Sequence, residues 1–367
     1  MSRQNDVSLE KAGFPHGGDW AGQEEFFGGQ VLDFSANVSP LGLPASAREA
    51  VLASLENAHR YPDPECRKLR RAIAEKYGLN SNTILCGNGA ADLIYRLIYA
   101  VKPKRALLLA PDFCEYERAL LGAGCEIRYR EWMPGENKME DDAPVRLHLS
   151  EELLSDLDIL IFSNPNNPSG CLFERDDLVD LAGRCKEKKI RLVIDECFME
   201  FTEQGDERSL LEMTRNDPSV CILRAFTKFY GMAGLRLGWC ASSDPELIDA
   251  MKKAGPPWSV STPAQAAGIA VLSQEEYAPA LRRLISEERM RLMARLRELG
   301  LTVIFGKANY LLFYTEEMNL QRCLMSRGIA IRDCSNYRGL GAGWFRVAVR
   351  LAEENELLVE ALREIIY

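Results

Sequence analysis

Five short apolar runs, at 106–110, 159–162, 191–194, 220–226 and 237–241, separated by stretches of helical periodicity at 113–122 and 175–188, constrain this chain more than any other feature. A strand buried on both faces reads as a nearly unbroken apolar run, and its return to a parallel neighbour needs a crossover long enough to hold a helix. The pattern therefore predicts an α/β architecture, a largely parallel sheet covered by helices on both faces. In such sheets ligands bind beyond the carboxyl ends of the strands.

After Pro256-Pro257 the pattern changes. One long helical stretch, 262–299, leads to strands expected at 302–305, 310–314 and 345–349 and to a terminal helix from Glu353. These predict a large domain over residues 31–258 and a smaller α+β domain over 259–367 joined by residues 1–30, with a cleft between them. A chain of 367 residues has the length for two such units.

Composition narrows the function classes. A net charge of −9 and a pI near 5.2 argue against a nucleic-acid partner or a polyanionic membrane surface. No apolar run approaches the roughly 18 residues that span a bilayer, and Met1–Trp20 lacks an apolar core of signal-peptide length. Eleven cysteines without a C-x-x-C pair, beside only three histidines, point to reduced thiols in a cytoplasmic protein and to no metal site.

The chemistry gathers near the predicted strand ends. Ala225-Phe226-Thr227-Lys228, followed by Gly234, Arg236 and Gly238, sets a lysine eight residues before an arginine across a loop of small residues. Such a lysine can form a Schiff base, and such an arginine can clamp a phosphate. Gly87-Asn88-Gly89-Ala90-Ala91-Asp92 opens an apolar helix, where the N–H groups of Gly89 and Ala90 suit an anion and Asn88 or Asp92 can serve as a cap. Asp195 closes an apolar strand, where a carboxylate needs a cationic partner. Asn167, in Asn164-Pro165-Asn166-Asn167-Pro168-Ser169-Gly170, offers an amide, and Phe113 offers an aromatic face.

In this order and spacing the elements resemble the fold-type I pyridoxal phosphate enzymes of the aminotransferase class I/II group, over nearly the whole chain. The resemblance implies a seven-stranded sheet, pyridoxal 5′-phosphate as cofactor, Lys228 and Asp195 as catalytic residues, and cofactor contacts from Gly89, Ala90, Phe113, Asn167, Thr227 and Arg236. Tyr61, in Arg60-Tyr61-Pro62-Asp63, matches a tyrosine that reaches the neighbouring subunit's cofactor, which implies a homodimer. One departure is Ala225, where serine or threonine often meets the cofactor phosphate.

Within the group two families compete, histidinol-phosphate aminotransferases and L-threonine-O-3-phosphate decarboxylases of cobalamin biosynthesis. His16-Gly17-Gly18, Leu32 to Asn37, Pro257-Trp258-Ser259-Val260 and Cys334-Ser335-Asn336-Tyr337 are similar to the decarboxylases. So is Phe198, where the aminotransferases usually carry a tyrosine; its absence removes one hydrogen-bond donor, roughly 0.5–1.5 kcal/mol net. Decarboxylation makes the weaker demand on a base. The resemblance implies a phosphorylated amino-acid substrate held by His16, Asn37, Arg332 and Arg346, with Arg350 as a further cation. The distant alternative is a non-catalytic, aminotransferase-like sensor module, which predicts an appended winged-helix segment.

Overall fold

The computed structural model describes residues 16–133 and 145–367; of the segment 1–30 expected to join the smaller domain, residues 1–15 lie outside the described residues. The strands, in chain order, are β1 (Leu32–Asp33), β2 (Ile84–Gly87), β3 (Arg105–Ala110), β4 (Glu126–Glu131), β5 (Ile159–Ser163), β6 (Arg191–Asp195), β7 (Val220–Ala225), β8 (Gly238–Ala241), β9 (Thr302–Val303), β10 (Tyr310–Tyr314), β11 (Ile329–Ala330), β12 (Arg332–Asp333) and β13 (Trp344–Ala348). Seven of them form one sheet in the order β2-β8-β7-β6-β5-β3-β4, parallel except for β8, which runs against both its neighbours.

The apolar runs behave as their composition demands. Leu107, Leu109, Leu160, Phe162, Leu192 and Ile194 alternate with Leu108, Ile159, Ile161 and Val193, and the two sets enter separate cores on opposite faces of the sheet. Helices Gly89–Val101, Cys114–Gly122 and Pro245–Lys253 cover the second face through Leu93, Leu97, Tyr116, Leu120, Leu247 and Met251. Helices Arg67–Tyr77 and Arg175–Glu187 cover the first through Leu69, Ile73, Leu178 and Leu181.

Beyond the sheet lies a second, four-stranded layer ordered β12-β13-β10-β9, with the terminal helix Ala352–Ile366. The two-residue strand β1 pairs in parallel with β11, which ties the N-terminal segment to this layer. The expected single helical stretch at 262–299 is two helices, Thr262–Leu272 and Tyr277–Glu298. Pro279 lies in the first turn of the second, where a missing N–H is harmless, whereas within an unbroken helix it would remove a bond. The first of the two packs on the large layer, with Gly268 against Leu237 and Leu69. Among the described residues no helix is long and apolar enough to cross a membrane.

Candidate functional site

A cavity opens where the carboxyl ends of β5, β6 and β7 face the smaller layer. Its lining includes Lys228, Asp195, Asn167, Phe113, Ala90, Thr227, Arg236, His16, Asn37, Arg332 and Arg346. Strand register explains part of this convergence, because Ser163 of β5 pairs with Asp195 of β6, and Ala225 closes β7 three residues before Lys228.

Lys228 leaves β7 on a single helical turn, Phe226–Phe229. Desolvation, with the like charges of Arg346 and Arg236, draws its ammonium down to about 8. Asp195 is buried and accepts from the Tyr116 hydroxyl at 2.8 Å and from the Cys197 N–H at 2.9 Å. Burial pushes its carboxyl up, opposed by those two hydrogen bonds and by Lys228. A carboxylate so placed favours a protonated nitrogen in front of it.

Gly89 begins the helix Gly89–Val101 at a φ of 78°, and a Cβ there would stand 2.5 Å from Arg236 Nη2. The bare backbone is what lets the guanidinium settle against the start of this helix. Gly238 of β8 makes the matching concession, since a Cβ on it would meet the Ala90 nitrogen at 2.5 Å. Asp92 caps the turn by accepting from the Asn88 N–H at 2.9 Å. Together these form an anion cradle of helix N–H groups and one forked cation, with Thr227 beside it. Ala225 lines the cavity without offering a hydroxyl.

Toward the smaller layer, Arg346 of β13 donates through Nη1 to Asn167 Oδ1, and through Nη2 to the Ser35 carbonyl at 3.3 Å. With its oxygen engaged, the Asn167 amide keeps its nitrogen for an acceptor. Two buried polar atoms of the lining have no partner, Asn37 Oδ1 and Arg346 Nε. Such atoms are costly to leave unmet and point to a polar ligand. The cradle, the Asp195 carboxylate and the lysine fit a phosphorylated pyridine aldehyde.

Other residues around the cavity depart from expectation or add to it. Arg350, expected as a further cation for the ligand, instead donates to Glu354 at 2.6 Å and to the Asp33 carbonyl at 3.1 Å, pinning the terminal helix to β1. Tyr61, expected to serve a neighbouring subunit, is 79% exposed and stacked on Trp258 at 4.5 Å. Tyr116, Ser163, Cys197 and Tyr337 line the cavity although the sequence reading gave them no role. Asp112, also passed over, accepts from Ser163 N at 2.9 Å and from its hydroxyl, and burial pushes it up to about 8. Only the Tyr337 segment carried a signal, its likeness to the decarboxylases.

Phe198 lines the cavity and stands edge-on to Tyr310, ring centres 4.9 Å apart. The Tyr310 hydroxyl donates to the Asn166 carbonyl at 2.8 Å and so does not replace the hydroxyl that Phe198 lacks.

Comparison with known proteins follows this geometry. The chain is 38% identical over 340 residues to the threonine-phosphate decarboxylase of Salmonella typhimurium, covering 92% of each. It is 30% identical over 345 residues to histidinol-phosphate aminotransferase 2 of Archaeoglobus fulgidus, covering 93% of this chain and 95% of the relative. Among solved structures, the histidinol-phosphate aminotransferase from Clostridium acetobutylicum superposes with a TM-score of 0.82 at 28% identity, over 92% of this chain and 99% of that one. Residues 29–362 match the model of the family described as aminotransferase class I and II. The chain belongs to that family, whose enzymes work with pyridoxal 5′-phosphate.

Proposed function

We propose that this protein decarboxylates L-threonine O-3-phosphate to (R)-1-aminopropan-2-yl phosphate, as a cytoplasmic homodimer serving cobalamin biosynthesis. The observation that carries the reading is that Arg346 and Arg332, with His16 beside them, line one small cavity with Lys228 and suit an amine bearing two anionic groups. The absence of a hydroxyl at Phe198 and the similarity to the Salmonella typhimurium decarboxylase support the same choice.

In this reading Gly89, Ala90, Thr227 and Arg236 would hold the cofactor phosphate, Asp195 would serve the ring nitrogen, Asn167 the ring hydroxyl and Phe113 the ring face. Tyr61 serves the site of the second subunit. Bound pyridoxal 5′-phosphate supplies an electron sink for the pair released when a bond at Cα breaks. Arg346 takes the substrate carboxylate and sets its direction, which selects the bond that breaks. Arg332 and His16 take the phosphate, and Asn37 turns its Oδ1 toward the substrate's polar groups. Lys228, whose ammonium is held below its ordinary value by burial and the neighbouring arginines, would deliver the proton that Cα gains as carbon dioxide leaves.

Histidinol-phosphate aminotransferase is the second reading, favoured by the Clostridium acetobutylicum structure. The test is to incubate the cofactor-loaded protein with L-threonine O-3-phosphate and follow carbon dioxide, beside histidinol phosphate with 2-oxoglutarate assayed for glutamate. Carbon dioxide without glutamate is the expected result. Glutamate without carbon dioxide overturns it.

A further inference from the structure

His16 is delivered to the cavity by a segment packed closely on Ser35. A Cβ on Gly17 would stand 2.1 Å from the Ser35 carbonyl oxygen, and the Gly18 N–H donates to Ser35 Oγ at 2.8 Å. The strap is thus pressed onto Ser35-Ala36, immediately before Asn37. From the opposite wall comes the helix Cys114–Gly122, and there the imidazole meets a carboxylate: His16 Nε2 lies 2.6 Å from Glu115 Oε1.

Glu115 is buried and fully engaged. Its Oε2 accepts from the Tyr95 hydroxyl at 2.8 Å, and its Oε1 also accepts from Arg118 at 2.8 Å. Burial works to raise this carboxyl, but the bonds from Tyr95, His16 and Arg118 outweigh it and hold the group below its usual range. His16 has Cys114 Sγ at 3.9 Å from Nδ1, and the Phe113 ring at 5.5 Å. The charged groups that act on it are Glu115 on one side and Arg332 and Arg118 on the other. Burial lowers the imidazole, Glu115 pulls it back up, and the two arginines push it down again.

A neutral histidine whose Nε2–H is spent on Glu115 presents Nδ1 as an acceptor, which repels a phosphate oxygen. To donate from Nδ1 the ring must carry a second proton. We propose that Glu115 is the positioning residue for substrate phosphate binding: it fixes the His16 ring through Nε2 and supplies the counter-charge under which the ring takes up a proton as the phosphate arrives. The proposal rests on the assignment of a phosphorylated amine as substrate. Its consequence is that affinity for the phosphorylated substrate falls as pH rises through the titration of His16, while affinity for the same amine without its phosphate does not follow.

The test titrates the holoprotein with O-phospho-L-threonine and with L-threonine, reading the visible absorbance of the cofactor, across pH 6 to 9, in wild type, Glu115→Gln and Glu115→Asp. Glutamine keeps an acceptor and removes the charge. The expected result is a loss of affinity for O-phospho-L-threonine in Glu115→Gln on the order of tenfold at pH 7. L-Threonine binding and kcat stay within about twofold, and the pH dependence moves to lower pH. Glu115→Asp, which retains the charge, recovers part of the loss. An equal loss for both ligands, or an unmoved pH profile, makes Glu115 a structural residue only and overturns the inference while leaving the function standing. A wild-type protein whose spectrum ignores O-phospho-L-threonine overturns the substrate assignment and this inference together.

Discussion

Replacing Gly89 by alanine separates two effects that the cradle combines. The first is backbone strain: at a φ of 78° an L side chain costs about 1–2 kcal/mol. That cost is present with or without cofactor, so it cancels from the binding equilibrium and appears in stability alone. The second is displacement, because the new Cβ would lie 2.5 Å from Arg236 Nη2 and the guanidinium must leave the helix start. A hydrogen bond to a charged group contributes about 1.5–3 kcal/mol, which converts to a cofactor affinity weaker by roughly 10- to 150-fold. The assay is a titration of the cofactor-free protein with pyridoxal 5′-phosphate, followed by the absorbance of the bound form, with a denaturation curve of the cofactor-free protein alongside. Gly122→Ala is the control, since nothing stands within 4 Å of its added Cβ; it should leave affinity unchanged. A Gly89→Ala protein that binds cofactor as tightly as wild type would refute the placement of Arg236 as the phosphate clamp, whatever its stability.

Lys228→Met should stabilise the cofactor-free protein at pH 7 by roughly 3 kcal/mol, because the native ammonium is held below its ordinary value of 10.5 at about 8. The unfolded chain binds more protons between those two values, so the advantage of methionine shrinks as pH rises from 8 to 10.5; a constant difference in urea midpoint across that range refutes the assignment. Tyr116→Phe removes the donor at 2.8 Å from Asp195 Oδ2 and should lower kcat several-fold, for roughly 1 kcal/mol, with little change in KM; an unchanged kcat refutes it. Mixing Tyr61→Ala with Lys228→Ala subunits, each poorly active alone, should restore about a quarter of wild-type activity through mixed dimers that hold one complete site. No recovery on mixing means that Tyr61 does not act across an interface.

The residues legible in the sequence were those at strand ends or beside glycines. Asp195 and Lys228 stand where an apolar run stops, and Gly89, Arg236 and Gly238 mark a backbone that must come close to something. Those signals are local, and the structure collects them in one cavity. Tyr116 carried no such mark: on an amphipathic helix it reads as core, and its hydroxyl finds Asp195 only because tertiary packing lays the helix Cys114–Gly122 against β3 and β4. Glu115 was hidden for the same reason. Arg350 misled in the other direction: it lies past the end of β13 and is spent on Glu354, in the first turn of the terminal helix. Strand β4 escaped because its Glu-Ile-Arg-Tyr-Arg-Glu alternation belongs to an edge, whereas the apolar runs that announced the sheet belong to its covered interior. The apolar run at 237–241 announced β8 as a strand but carried no sign of its antiparallel course.

The bond between Arg346 and Asn167 joins the two layers before any ligand has entered. An incoming carboxylate does not find an idle cation; it must offer Arg346 a better acceptor than a neutral amide, and in doing so it frees the Asn167 oxygen. Recognition at this point is an exchange of partners. If Arg346 takes the substrate carboxylate as proposed, discrimination against amines without a carboxylate begins at this exchange, before any bond at Cα is strained.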